Sequence, residues 1–75
     1  FVENQEFNKF FKAFGKRCKE LRVKKKLTQE DMMQFGFATR HYQRIEQGLQ
    51  VNMVTVLKLG KAFGVKISTL LKGLD

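Results

Sequence analysis

Phe7, Phe10, Phe11, Phe14, Cys18 and Leu21 recur at steps of three and four residues, and residues at those steps lie along one side of an α-helix. A strand would send Phe10 and Phe11 to opposite faces and scatter the set. The pattern predicts a helix over about residues 4–25, with Lys9, Lys12, Lys16 and Lys19 on the side away from the apolar stripe. The stripe reads as core rather than as a cofactor pocket. Cys18, which lies on it, reads as a small buried hydrophobe rather than a reactive thiol. The N-terminal part of the stripe, Phe7 to Phe11, begins before a compact domain needs it, which makes it the candidate dimer contact. Gly15 weakens such a helix by roughly 1 kcal/mol relative to Ala, so a close packing neighbour is expected there.

The rest of the chain is punctuated for short helices. It has no Pro and six Gly, a composition suited to helices joined by tight turns. Thr28 is a good N-cap, and Glu30 and Asp31 place negative charge in the first turn that follows. Asp31 stands where a capping box would want Glu or Gln, so that signal is partial. Met32, Met33 and Phe35 supply apolar contacts, and Gly36 ends the segment after about two turns. A third helix follows Phe37-Ala38 with Thr39 as expected N-cap. Tyr42, Ile45, Glu46 and Leu49 share its inner side, while Arg40, Gln43, Arg44 and Gln47 share the outer one. Gly48 stops it. Asn52 caps a fourth helix with Met53, Val56, Leu57, Gly60 and Phe63 inward and Leu59 at the margin, and Gly64 ends it. A last helix, about residues 67–72, turns Ile67, Leu70 and Leu71 inward. The expected fold class is an all-α, five-helix bundle, one domain over residues 1–75.

Other classes find little support. A single Cys rules out an internal disulfide framework and fits a reducing, cytoplasmic setting. No apolar run approaches the roughly 18 residues a membrane span needs, and no signal peptide is visible. Five separate stripes with acidic caps also argue against a single helix lying on a membrane surface. Metal-ligand spacing, a Gly-rich phosphate loop and a nucleophile with a base are all missing. Ser68, Cys18 and His41 each stand alone. The expectation is therefore no enzyme, no metal and no cofactor, with His41 a polar surface residue.

Charge points to a polyanion partner. Lys and Arg number 15 against 7 Asp and Glu, a net charge of +8. Residues 9–26 carry Lys9, Lys12, Lys16, Arg17, Lys19, Arg22, Lys24, Lys25 and Lys26 against Glu20 alone. DNA, RNA, an anionic membrane or simple solubility could each account for such an excess. Pattern decides among them. Two short helices joined by a Gly-containing turn over residues 28–48 have the form of a helix-turn-helix. The second helix of that motif enters the major groove of DNA. The Arg guanidinium fork matches guanine O6 and N7, and Gln can pair with adenine. Arg40 and Arg44 are one helical turn apart and project together.

The segments Phe14-Gly15-Lys16-Arg17-Cys18-Lys19-Glu20-Leu21-Arg22, Leu27-Thr28-Gln29-Glu30-Asp31, Arg44-Ile45-Glu46-Gln47-Gly48 and Leu57-Lys58-Leu59-Gly60-Lys61-Ala62-Phe63-Gly64-Val65, in that order and spacing, resemble the phage-repressor and Cro-like (XRE-type) helix-turn-helix family over about residues 12–72. The resemblance implies a five-helix bundle that binds double-stranded operator DNA, often as a homodimer on a palindrome, and controls transcription in bacteria or phages. It implies that Gln29 bonds a phosphate and braces the reading helix. Thr39, Arg40 and Arg44 would contact bases, with His41 and Gln43 as lesser candidates. It also implies an Arg22–Glu46 ion pair tying the first helix to the end of the third. Thr28, at a helix start, and Lys26, at a helix end, join Gln29 as candidate phosphate contacts.

The chain departs from the family pattern in places. Between Gln29 and Glu46 it is one residue short, so the second helix or its turn must tighten. Met32 or Met33 stands where a small residue usually packs. The loop after Gly48 is about one residue short and lacks the usual Pro. These departures leave open which of Thr39, Arg40 and His41 reaches a base. The alternative function is a protein-interaction module on the same fold, such as an antitoxin or a regulatory partner subunit, which an abundance of exposed Phe and Met would favour.

Overall fold

The computed structural model describes residues 5–74; residues 1–4, the start of the expected N-terminal extension, lie outside them. The regular structure of the described residues is all helical, with no strand among them. They form α1 (Gln5–Lys24), a 3₁₀ helix (Glu30–Phe35), α2 (Thr39–Glu46), α3 (Met53–Phe63) and α4 (Ile67–Leu71).

Helix α1 is the backbone of the domain. Phe14 and Cys18 are fully buried, and Phe10 and Leu21 pack on the edge of the same core. Phe10 lies 6.4 Å from Phe14, ring on ring, and 5.3 Å from Phe11, edge on. Phe7 is 52% exposed, so the apolar stripe outruns the core at its N-terminal end. The helix stops through a paired cap: the Leu27 N–H donates to the Arg22 carbonyl at 3.1 Å and the Lys26 N–H to the Val23 carbonyl at 2.9 Å. This geometry puts its turning residue in the left-handed region, where Gly is usual. Here the residue is Lys26, at φ 60°.

The second segment is a 3₁₀ helix, not the α-helix expected. Its i→i+3 bonds include Asp31 N–H to the Thr28 carbonyl at 3.1 Å and Met32 N–H to the Gln29 carbonyl at 3.2 Å. A 3₁₀ helix rises about 2.0 Å per residue against about 1.5 Å for an α-helix, so the six residues Glu30–Phe35 reach further than the same number in α form would. Its start is capped reciprocally, because the Asp31 N–H donates to Thr28 Oγ1 at 3.1 Å and the Thr28 N–H to Asp31 Oδ2 at 2.7 Å. The shorter Asp thus completes the box that Glu or Gln would usually close. Met32 is fully buried and Met33 is 62% exposed.

Gly36, at φ 90°, turns the chain into α2. Ala38 is the N-cap there and makes no side-chain cap bond, so Thr39 is the first helical residue and not the cap expected. Tyr42 and Ile45 are fully buried, while Leu49 is 39% exposed and falls outside the core. Helix α3 starts as expected at Asn52, whose Oδ1 accepts from the Thr55 N–H at 2.9 Å.

The buried side of α3 differs from the sequence pattern. Val56, Leu59, Gly60, Ala62 and Phe63 face the core, whereas Met53 and Leu57 are 61% and 51% exposed. The helix carries more apolar residues than one side can bury, so periodicity alone chose the wrong Leu. Gly60 shows how the register is set. A Cβ there would lie 3.0 Å from Ile67 Cδ1 and 3.3 Å from the Val65 carbonyl oxygen, so the start of α4 packs directly on it. With Leu70 fully buried, α4 closes the end of the core.

Candidate nucleic-acid interface

The inner side of α2 is fixed before its outer side can present anything. Glu46, on that inner side, accepts from Arg22 Nε at 2.6 Å, from Arg22 Nη2 at 3.3 Å and from Gln29 Nε2 at 3.0 Å, while Arg22 Nη1 donates to the Leu27 carbonyl at 2.8 Å. The two charged side chains are 11% and 6% exposed. Burial alone would push the Glu46 carboxyl up. The hydrogen bonds from Arg22 and Gln29, with the adjacent Tyr42 hydroxyl, outweigh it and hold the group below its ordinary value of 4.5. The hydrogen bond to Glu46 correspondingly raises Arg22. Tyr42 is enclosed beside this pair, and its hydroxyl has no well-aligned partner among the described residues. Burial and then the Glu46 carboxylate push its ionisation far up.

Close approach of backbones sets the position of α2 along α1. A Cβ on Gly15 would collide with the Ile45 carbonyl oxygen and sit 2.8 Å from that of Glu46. Gly15 is therefore where the two helices cross, and the neighbour expected from its presence is the C-terminal end of α2. One turn earlier, Lys12 lies along Gly48, its Cα 3.5 Å from where a Gly48 Cβ would be. The α1 lysines Lys9, Lys12, Lys16 and Lys19 are all exposed, and of these Lys12 is the one this contact places at the end of α2.

The outer side of α2 carries the candidate base-reading residues. Arg40, His41, Arg44 and Gln47 are exposed, and Thr39 and Gln43 are half-buried. At 100° per residue, Arg40, Arg44 and Gln47 fall on one ridge opposite Tyr42 and Ile45. Thr39 and Gln43 form one shoulder of that ridge and His41 the other, with the His41 ring 6.3 Å from Phe37. Among the described residues the ion pairs are Arg17–Glu20 and Arg22–Glu46, which leaves the guanidinium groups of Arg40 and Arg44 without a carboxylate. The first amides of α2 have no side-chain cap, and they stand at the positive end of the helix, where an anion is favoured.

The candidate phosphate contacts stand differently from one another. Lys26 and Thr28 are exposed, although the Thr28 hydroxyl is engaged in the Asp31 cap. Hydrogen bonds to Thr28 hold Asp31 below its ordinary value of 3.8. Gln29 is half-buried and spends an amide hydrogen on Glu46, which leaves its second amide hydrogen and its oxygen for other partners. It therefore ties the start of the 3₁₀ helix to the end of α2.

Two contributors were not evident from the sequence. Arg17 donates to the carbonyls of Thr69, Leu70 and Lys72 at 3.1, 3.2 and 2.8 Å, satisfying the open end of α4. Lys58 donates to the Gly36 carbonyl at 3.1 Å and lies 4.5 Å over the Phe37 ring, pinning the turn before α2. Neither contact has a local sequence signal, because each joins residues far apart in the chain. Cys18 is buried as expected, and burial followed by the Glu46 charge pushes its thiol up to about 12, which keeps it unreactive. Among the described residues no cluster of His, Cys, Asp or Glu could hold a metal ion, and no helix is long and apolar enough to cross a membrane. The chain matches no protein-family model, no curated protein and no solved structure.

Proposed function

We propose that the protein is a sequence-specific DNA-binding regulator of transcription, with the bundle type of the phage-repressor family and with α2 as the helix that enters the major groove. One observation carries the reading: an exposed ridge of Arg40, Arg44 and Gln47 on a helix whose opposite side is fully buried and clamped by Glu46 to Arg22. A reading helix needs that combination, because base discrimination requires donors held in a fixed frame. Arg40 and Arg44 are the bases' principal contacts in this proposal, with Thr39, His41 and Gln43 beside them. Lys26, Gln29, Thr28, the α2 amides and the α1 lysines take phosphates. Binding as a homodimer, through the exposed Phe7 end of α1, would double the small area one such domain can bury on DNA. The proposed setting is the cytoplasm of a bacterium or a phage-infected cell.

Selection of bound sequences from random duplex DNA, followed by salt titration on the winning site, tests the proposal. The expected result is a defined site bound at least about a thousandfold more tightly than scrambled duplex. Enrichment of no sequence, with all affinity lost to salt, would refute base reading and leave only charge attraction.

A further inference from the structure

Helix α3 has a second apolar side that nothing among the described residues covers. It spans 11 residues, whereas α4, which packs against it, has 5. Val54 and Leu57 therefore remain 63% and 51% exposed on a groove of about 640 Å³, whose other wall is Val65 and Ile67. The lining is also basic. Lys58, Lys61 and Lys66 line the groove, the Lys58 ammonium being held by the Gly36 carbonyl; among the described residues no Asp or Glu lines it, and Lys25 Nζ comes within 3.3 Å of where a Gly64 Cβ would be.

We infer that this groove docks an amphipathic helix of a partner protein, with apolar anchors on one face and carboxylates flanking them. The apolar floor calls for anchors at one- and two-turn spacing, as in helix-in-groove recognition. The lysine rim selects acidic flanks, because opposite potentials steer and align the encounter. A second copy of this chain fits poorly. A two-fold contact through this face would set one rim of lysines against the other. A nucleic acid would use the lysines but leave the apolar floor bare. The inference does not depend on DNA recognition by α2.

The test uses the protein as it stands and a panel of synthetic helical peptides of about four turns, with Leu, Ile, Met or Phe anchors and Glu flanks, alongside matched peptides with Lys flanks. Binding is read by fluorescence polarisation and mapped by amide chemical shifts. Members with Glu flanks are expected to bind and to shift Val54, Leu57, Val65 and Ile67, while those with Lys flanks do not. Leu57→Asp should weaken binding at least about tenfold with unchanged thermal stability and unchanged duplex binding. The pair Lys61→Glu and Lys66→Glu should reverse the flank preference. No acidic peptide binding below about 100 μM, equal binding of both flank types, or shifts mapped elsewhere would overturn the inference. So would concentration-dependent shifts of the groove without peptide, which would mark a second copy. Shifts with phosphatidylglycerol vesicles but with no peptide would overturn it in favour of a lipid surface.

Discussion

Arg22 and Glu46, 24 residues apart, meet through two hydrogen bonds at 2.6 and 3.3 Å and fasten the end of α1 to the end of α2. Removing one partner leaves a nearly enclosed charge without its counterpart, which in buried pairs costs about 3–5 kcal/mol. Glu46→Ala is expected at the lower end, about 3 kcal/mol, because water reaches the edge of the pair. Arg22→Met with Glu46→Leu should lose much less than the two single losses added together. Urea denaturation of the single and double variants measures this; additive losses would show that the pair is not coupled.

Acid should loosen the same fastening. Glu46 and Asp31 both have folded values below their ordinary 4.5 and 3.8. A depressed carboxyl contributes stability that is complete above its unfolded value and is lost as the pH falls through the folded value. Urea midpoints should therefore be flat near neutrality and fall below about pH 4.5. Glu46→Gln should make the protein less stable at neutral pH and flatten that acid slope. An unchanged slope would place the acid sensitivity elsewhere.

Gly15→Ala sets two effects against each other. Helix propensity favours Ala by roughly 1 kcal/mol. The new Cβ meets the carbonyl oxygens of Ile45 and Glu46, backbone atoms that can yield only if α2 shifts, and overpacking of this kind typically costs about 1–3 kcal/mol. The clash should win. Thermal melts are expected to show a lower midpoint, and a rise would mean that the crossing has slack.

Lys26→Gly should raise stability by about 1 kcal/mol, since a left-handed backbone costs a side-chain-bearing residue about 1–2 kcal/mol and Gly nothing. If Lys26 neutralises a phosphate, the same change should make the salt dependence of DNA binding shallower by about one unit of slope. Calorimetry and a salt titration read the two effects separately. An unaltered slope would remove Lys26 from the phosphate contacts.

Arg44→Ala should weaken binding to the selected duplex by about 1–3 kcal/mol and relax one base position. Binding measured on cognate and scrambled duplexes separates the roles of the side chain. An equal loss on both would show that Arg44 touches phosphate alone.

Much of the helical frame was legible because its signals are local. The Phe stripe marks α1, Asn52 marks the start of α3, and Gly36, Gly48 and Gly64 mark stops where φ is positive. The all-helical character follows from the same cues. What was not legible depends on distant partners. The 3₁₀ form of the second segment has no local sequence signal, since its cap residues and apolar spacing suit an α-helix as well. Leu59 rather than Leu57 is buried because α4 meets α3 at Gly60. In the candidate interface, residue types on the outer side of α2 could be read from periodicity. Gln29 bonding to Glu46 and Lys58 holding the turn could not, since long flexible side chains find partners only once the fold exists.

The bare crossing at Gly15 separates aim from vocabulary. With peptide backbone pressed on peptide backbone, the angle at which α2 leaves the body is settled by a joint containing none of the side chains that stand on its outer ridge. If α2 reads DNA as proposed, exchanging Arg40, Arg44 or Gln47 for other residues would alter what is read while leaving the crossing at Gly15 untouched, so new specificities could be grafted onto this small frame without refolding it.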